Sequence, residues 1–168
     1  MSTRTSKALA RAATPTALAQ REVHAESFDL LVVFELADQQ YGLFASNVRE
    51  IIRNRRTTRV PNAEDCILGV INLRGSIIPV FDTRRRLKLP EVTAEQATQL
   101  AVMVVESSGH DAGLLVDRVV DVVRIGDAEI NRTAQVVEHG KTQRFIEGTV
   151  EASGRLVTLL KLEALLEG

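Results

Sequence analysis

Six stretches of the chain are dominated by valine, isoleucine and leucine, and each is bounded by glycine, aspartate, asparagine or serine. Short apolar runs with such boundaries are typical of β-strands. The six runs are LLVVFEL at 30–36, CILGVIN at 66–72, SIIPVFD at 76–82, LAVMVV at 100–105, GLLVDRVVDVVRI at 113–125 and RLVTLLKL at 155–162. Their regular spacing predicts an all-β protein built as small barrels or a sandwich.

Three other segments differ from these runs in amino-acid composition. Residues 91–99 are polar and are expected to form a short helix or a solvated connection, and the closing ALLEG predicts a short C-terminal helix. Residues 1–27 contain no glycine and few large apolar side chains, which predicts a disordered N-terminal tail. An organelle transit peptide over residues 1–21 is the compositional alternative. The folded domain is therefore expected at 28–168.

The chain also contains an internal repeat. The segment YGLFASNVREII at 41–52 aligns with DAGLLVDRVVDVV at 111–123, and LGVINLRGSIIPVF at 68–81 aligns with EGTVEASGRLVTLL at 147–160. The order is the same in both halves, with copies at about 30–82 and 101–162. Two copies are too few for a solenoid, so the repeat predicts two related small barrels packed on each other. A seam between such units is a common place for a binding site.

Both copies place a glycine after a turn position, Gly75 in the first and Gly154 in the second. We expect each glycine to have a structural role in a three-residue hairpin loop that needs a left-handed backbone. The preceding residue is Arg74 in the first copy and Ser153 in the second, so a hairpin of this kind closes without a guanidinium. Arg74 is then available to bind a partner's carboxylate or carbonyls. The alternatives are a solvated arginine or one that pairs with a nearby acid such as Glu50.

Composition and charge exclude several classes of protein. The chain of 168 residues has a formal net charge of -1, so it has no overall field that would attract nucleic acid or an anionic membrane. Cys66 is alone, which rules out an internal disulfide and favours a reducing compartment such as the cytoplasm. No apolar stretch approaches the roughly 18 residues of a spanning helix, so we expect no direct membrane insertion.

The sequence shows no pattern typical of a catalytic site. His24, His110 and His139 are scattered, and neither a metal cluster nor a nucleophile with a nearby base is indicated. We therefore predict a protein that is not an enzyme and that needs no metal and no cofactor.

Two basic clusters stand out, RNRRTTR at 53–59 and RRRLK at 84–88. Both could contact phosphates, but single-strand sites on small barrels combine basic grooves with stacking aromatics. Aromatic residues make up only 4% of this chain, with no tryptophan and one tyrosine, so nucleic-acid binding is disfavoured. The clusters are then either a solvated face or a patch that faces an acidic partner protein.

Taken together, the motifs resemble those of the CheW-type chemotaxis coupling proteins. The matching segments are YG at 41–42, VREI at 48–51, VP at 60–61, GVINLRG at 69–75, IPVFD at 78–82, GLLVD at 113–117, and the closing Gly148 and Gly154. The resemblance covers about residues 28–166, and its most specific element is the Asn-Leu-Arg-Gly turn inside an apolar hairpin. It implies two packed five-stranded SH3-like β-barrels with short helical segments and a C-terminal helix.

The resemblance also implies a function. Proteins of this kind are non-enzymatic adaptors that join the regulatory domain of the histidine kinase CheA to the cytoplasmic tips of methyl-accepting chemotaxis receptors. The protein would be cytoplasmic and recruited to membrane-associated receptor arrays. A coupling protein of a related chemosensory pathway that governs pili or another output is the alternative, and a small-barrel nucleic-acid-binding protein is a less favoured one.

The resemblance assigns roles to particular residues. Val48, Glu50, Ile51 and Arg74 match the receptor-binding face, in a groove between the barrels, and the strand near Gly69 matches the kinase-binding surface. For Val48 and Ile51, core packing is the alternative, because their repeat counterparts, Val119 and Val122, are also apolar.

Overall fold

The computed structural model describes residues 27–132 and 142–167, and in these residues ten strands form two five-stranded sheets. The strands are β1 Phe28–Leu36, β2 Gln39–Phe44, β3 Val48–Arg53, β4 Ile67–Leu73, β5 Ser76–Asp82, β6 Ala101–Ser107, β7 His110–Val116, β8 Arg118–Gly126, β9 Ile146–Ala152 and β10 Arg155–Leu160. Two short helices follow β5 and β10, α1 Thr83–Arg86 and α2 Leu162–Leu166. The all-β prediction is confirmed, and the disordered tail predicted at residues 1–27 lies outside the described residues except for Ser27.

Strands β2, β3 and β9 lie outside the six predicted runs, and two of the predicted strands break or end where the apolar run continues. The run at 113–125 is two strands, β7 and β8, which are separated at Asp117. Its apolar side chains continue on both sides of the break, so the pattern does not reveal it. The run at 155–162 ends as a strand at Leu160, because Leu162 already begins α2. The polar segment at 91–99 contains a single 3-10 turn, Gln96–Thr98.

Each sheet takes strands from both copies of the repeat. The first has the order β8-β1-β2-β10-β9 and is called barrel A, and the second has the order β3-β6-β7-β5-β4 and is called barrel B. The repeat maps β1 through β5 onto β6 through β10, and this mapping converts the order of one sheet into that of the other. The sequence left open how the strands are shared. The topology shows that each barrel combines two strands of one copy with three of the other.

The two barrels are closed by equivalent contacts. In barrel B, Thr58 and Val70 exchange backbone hydrogen bonds of 2.9 and 2.8 Å; in barrel A, Asn131 and Thr149 exchange bonds of 2.8 and 3.0 Å. Gly69 lies beside the first closure, where a Cβ would come within 2.3 Å of the Thr58 carbonyl oxygen. Its repeat counterpart Gly148 lies beside the second, where a Cβ would come within 2.8 Å of the Asn131 oxygen. Close approach of two backbones explains a glycine at both positions.

Three apolar clusters stabilise the molecule. One fills barrel A around Leu31, Val33 and Leu159, and one fills barrel B around Val80, Val102 and Val104. The third lies between the barrels and includes Val32, Phe34 and Leu43 from barrel A with Met103, Val105 and Leu114 from barrel B. Strands β1 and β6 are therefore buried on both faces, which is why they read as continuous apolar runs rather than alternating ones.

A buried ion pair connects α1 to the corner between β7 and β8. The Arg84 side chain is 5% exposed; its Nε donates to Asp117 Oδ1 at 2.7 Å and its Nη2 donates to Asp117 Oδ2. Asp117 also accepts the backbone N–H of Ala37 at 2.8 Å. The hydrogen bond to Asp117 raises the pKa of Arg84 above its ordinary value. The cluster at 84–88 is therefore not simply a solvated face, since its first arginine is buried.

Candidate functional site

Strand β3 lies at one end of the barrel B sheet and contains three of the four residues assigned to receptor binding. A bulge between Val48 and Glu50 interrupts its pairing with β6. Val48 lies opposite Val105 and Ile51 lies opposite Met103, and both partners belong to the cluster between the barrels. Since directly opposed residues share a face of the sheet, Val48 and Ile51 face the seam between the barrels.

The two apolar residues differ in burial. Val48 is half-buried and packs against the cluster between the barrels, so core packing accounts for part of its role. Ile51 keeps 45% of its surface exposed. An isoleucine exposed beside a packed seam is available for contact with another molecule.

Arg74 reaches Glu50 from the hairpin between β4 and β5. Its Nη1 donates to Glu50 Oε1 at 2.6 Å and its Nη2 donates to Oε2 at 3.0 Å, which is a bidentate pair. The Arg74 side chain remains 77% exposed, whereas that of Glu50 is 25% exposed. An exposed pair contributes only about 0 to 1 kcal/mol to stability. Of the alternatives for Arg74, the structure shows pairing with Glu50, and most of the side chain is still accessible to a partner.

The hairpin loop has two residues rather than the expected three. Leu73 pairs with Ser76, and the intervening Arg74 and Gly75 have φ values of 50° and 88°. Two consecutive left-handed residues are characteristic of a type I′ turn. The twist of this turn matches the right-handed twist of the two strands, and its preferred sequence is Asn-Gly. Ser153 and Gly154 repeat this geometry with φ values of 51° and 73°. A left-handed arginine carries a conformational cost of about 1–2 kcal/mol.

One exposed residue near the turn was missed by the sequence argument. Ile77 is 71% exposed, and its repeat counterpart Leu156 is 66% exposed. Ile77 is followed by Ile78, which is buried inside barrel B. Because neighbouring residues of a strand point to opposite faces, two adjacent isoleucines were a signal that one of them would face outward.

Gly69 does not belong to the cluster formed by Arg74 and Glu50. It is buried on β4, against the backbone of Thr58 and Arg59, with a φ of 148°. The barrel closure is a sufficient structural reason for this glycine. Because Gly69 itself is covered, a partner could contact only the segment of Thr58 and Arg59, which lies against β4 at this glycine.

Within residues 27–132 and 142–167, no group of three or more histidine, cysteine, aspartate or glutamate side chains is arranged to hold a metal ion. No helix in the same ranges is both long enough and apolar enough to cross a membrane.

Comparison with known proteins gives one consistent result. The CheW-like domain family matches residues 30–168. The chain is 32% identical to the chemotaxis protein CheW of Bacillus subtilis (strain 168) over 137 residues, which cover 82% of this chain and 86% of that protein. It is 31% identical to Protein FrzA of Myxococcus xanthus over 136 residues, which cover 80% of this chain and 82% of FrzA.

Solved structures agree with the sequence relatives. The scaffolding protein TtCheW from Thermoanaerobacter tengcongensis superposes with a TM-score of 0.77 at 32% sequence identity, covering 84% of this chain and 94% of that one. Its likeness extends over both barrels, and the family match includes the exposed hairpin with Arg74. The chain therefore belongs to the CheW-like family of chemotaxis scaffold proteins.

Proposed function

We propose that this protein is a non-enzymatic adaptor that couples the cytoplasmic tips of chemoreceptors to the histidine kinase CheA. The observation that carries the proposal is that β3 presents an exposed Ile51 next to Glu50, which is paired with the exposed Arg74 of the neighbouring hairpin. Family membership supports a scaffold role in chemotaxis. The protein would act at receptor arrays on the cytoplasmic face of the membrane.

The receptor tip is proposed to dock against β3. Ile51 and the exposed part of Val48 would bury apolar receptor side chains, at about 25 cal/mol for each square ångström removed from water. Glu50 and Arg74 would set the orientation of the receptor, and Arg74 would add a charge-assisted contact to its affinity.

The kinase regulatory domain is proposed to dock near the closure of barrel B. Gly69 is buried there, so its contribution would be indirect: it allows the segment of Thr58 and Arg59 to lie against β4. The arginines of the 53–59 cluster are exposed on this segment. They would contact the kinase, and Gly69 would hold their loop in place.

The receptor assignment is tested with Arg74→Asn and the matched control Ser153→Asn. Asparagine suits the left-handed position of both turns, so both variants should fold. We expect Arg74→Asn to weaken binding of a receptor cytoplasmic hairpin about tenfold through loss of a charge-assisted contact, and Ser153→Asn to leave it unchanged. Surface plasmon resonance measures the affinities, and thermal melting verifies the fold.

The same assay, run with a CheA regulatory domain, tests the adaptor function as a whole. The adaptor hypothesis requires wild-type protein to bind both partners at once in a ternary pull-down. If well-folded wild-type protein bound neither partner, coupling in this pathway would be excluded. If wild-type protein bound both partners, and Arg74→Asn and Ser153→Asn bound the receptor hairpin equally well, the adaptor function would stand and only the role assigned to Arg74 would be wrong.

A further inference from the structure

A cavity of about 500 Å³ opens beside α1, on residues that the proposed function does not use. Four cationic and two acidic side chains line it, namely Arg85, Arg86, Lys88, Arg144, Glu64 and Asp65. We call it the basic pocket. Its lining has an excess of two positive charges, of which one is offset by Asp82 just outside the lining, whose carboxylate lies 3.4 Å from Arg85 Nε; the whole chain, in contrast, has a net charge of -1. This local field favours an anionic ligand.

Arg86 supplies a buried and incompletely paired guanidinium. Its side chain is only 9% exposed, and its Nη1 donates to Glu64 Oε2 at 3.3 Å and to the Cys66 Sγ at 3.4 Å. Its Nε and Nη2 are buried and have no hydrogen-bond partner among the described residues. These two atoms form one edge of the guanidinium, which is the fork that receives both oxygens of a carboxylate. A buried charged donor without an acceptor is costly, so the edge indicates a missing acceptor.

An aromatic ring lies among the cationic groups of the pocket. The Arg144 Cζ lies 4.6 Å from the centroid of the Phe145 ring, and the Arg86 Cζ lies 5.6 Å from it. Both guanidinium groups are therefore within cation–π distance of this buried ring. Arg144 and Lys88 are exposed, and in the described part of the chain neither forms an ion pair. An incoming anion would meet these unpaired charges first and the Arg86 edge afterwards.

We propose that the basic pocket docks a glutamate or aspartate side chain from an acidic segment of a partner protein. The Arg86 guanidinium matches a single carboxylate, and the exposed Arg144 and Lys88 suit further acidic residues of the same segment. None of the residues assigned to the receptor face lines this pocket. The proposal therefore does not depend on receptor binding.

The test uses full-length protein and a peptide of eight glutamates as the probe, with titration calorimetry at low ionic strength. We expect Arg86→Gln to weaken peptide binding about tenfold and Arg144→Gln and Lys88→Asn to weaken it about threefold each. Lys88 has a φ of 57°, which asparagine tolerates, so Lys88→Asn removes the charge without straining the turn. Arg155→Gln is the matched control, because Arg155 is an exposed arginine outside the pocket.

Thermal melting reports whether each variant folds. If Arg86→Gln does not fold, the test of the pocket rests on Arg144→Gln and Lys88→Asn, which change exposed residues. The proposal is overturned if wild-type protein shows no saturable binding, or if Arg155→Gln weakens binding as much as the pocket variants do. It is also overturned if inorganic phosphate displaces the peptide at equal concentration, since the site would then serve a small oxyanion rather than a polypeptide.

Discussion

The hairpins of the two barrels share one backbone geometry but carry different side chains. In barrel B, Arg74 leaves the turn and pairs with Glu50 on β3. In barrel A, the same positions hold Ser153 and Asp121, and the Asp121 carboxylate accepts the N–H of its neighbour Val122 at 2.8 Å. Among the described residues Asp121 has no ion-pair partner, and a cavity of about 240 Å³ lies between it and Ser153.

This comparison separates the demands of the fold from features added to it. The left-handed Gly75 and Gly154 and the closure glycines Gly69 and Gly148 occur in both barrels, so any barrel of this design needs them. The ion pair of Arg74 occurs in one barrel, which means that a barrel forms without it. A feature that is unrepeated and exposed is therefore the better candidate for function.

An unrepeated feature that is buried has a different meaning. The repeat places Glu163 at the position of Arg84, so the buried pair with Asp117 has no counterpart. It connects α1 in the first half of the chain to a corner in the second half. We attribute it to the attachment of the two halves rather than to partner binding.

The largest effect is expected from Asp117→Ala. It leaves the buried Arg84 guanidinium without its carboxylate, and removing one partner of a buried pair costs about 3–5 kcal/mol. Urea denaturation measures the loss in the free energy of unfolding. The double variant Arg84→Met with Asp117→Leu should recover most of it; a double variant as unstable as the single one would show that the pair is not the cause.

Substitution of the closure glycines comes next. Gly69→Ala would place a Cβ 2.3 Å from a backbone oxygen at a φ of 148°, which should cost about 3 kcal/mol. Gly148→Ala, with its nearest atom at 2.8 Å, should cost somewhat less. Gly75→Ala is the control, because a Cβ there meets nothing within 4 Å and only the backbone conformation is strained. Equal losses for Gly69→Ala and Gly75→Ala in chemical denaturation would contradict the packing explanation.

A smaller effect distinguishes the two turns. Ser153→Asn should raise the free energy of unfolding by about 0.5 kcal/mol, because asparagine favours the left-handed turn position. Arg74→Asn should gain the same amount but lose the pair with Glu50. The difference between the changes in unfolding free energy of the two variants, measured by urea denaturation, gives the contribution of the Arg74–Glu50 pair to stability. A difference above about 1 kcal/mol would show that the pair is more than an ordinary exposed one.

The smallest expected effect is a loss of stability in alkali. Burial raises the pKa of the Cys66 thiol above its ordinary value of 9.0, so the folded chain holds this proton more firmly than the unfolded chain. The resulting stability is present below pH 9 and is lost as the pH rises through the folded pKa. The repeat counterpart, Phe145, cannot ionise. Cys66→Ala should therefore flatten the dependence of melting temperature on pH above 9. If the slope were unchanged, the loss of stability in alkali would come from Tyr41 or other groups rather than from Cys66.

The residues of the candidate site were predictable to different degrees. Arg74 was visible in the sequence because the second copy of the repeat has Ser153 in its place. Ile51 and Val48 had matching valines in the other copy, so only burial distinguished them: Ile51 is 45% exposed, and Val48 packs on the cluster between the barrels. The basic pocket could not be predicted, because Arg86 and Arg144 are 58 positions apart in the chain and meet only through the fold.

The sequence by itself determined that the six apolar runs form strands, that turns lie at Gly75 and Gly154, and that the chain is built from two related copies; it did not single out β2, β3 and β9. These properties depend on neighbouring residues: apolar runs, glycine after a turn position, and the order of motifs. The tertiary structure alone decided how the copies exchange strands, that GLLVDRVVDVVRI is broken at Asp117, and which arginines are buried. Those outcomes depend on pairings between distant residues, such as the parallel contacts of β5 with β7 and of β10 with β2, which leave no local pattern in the chain.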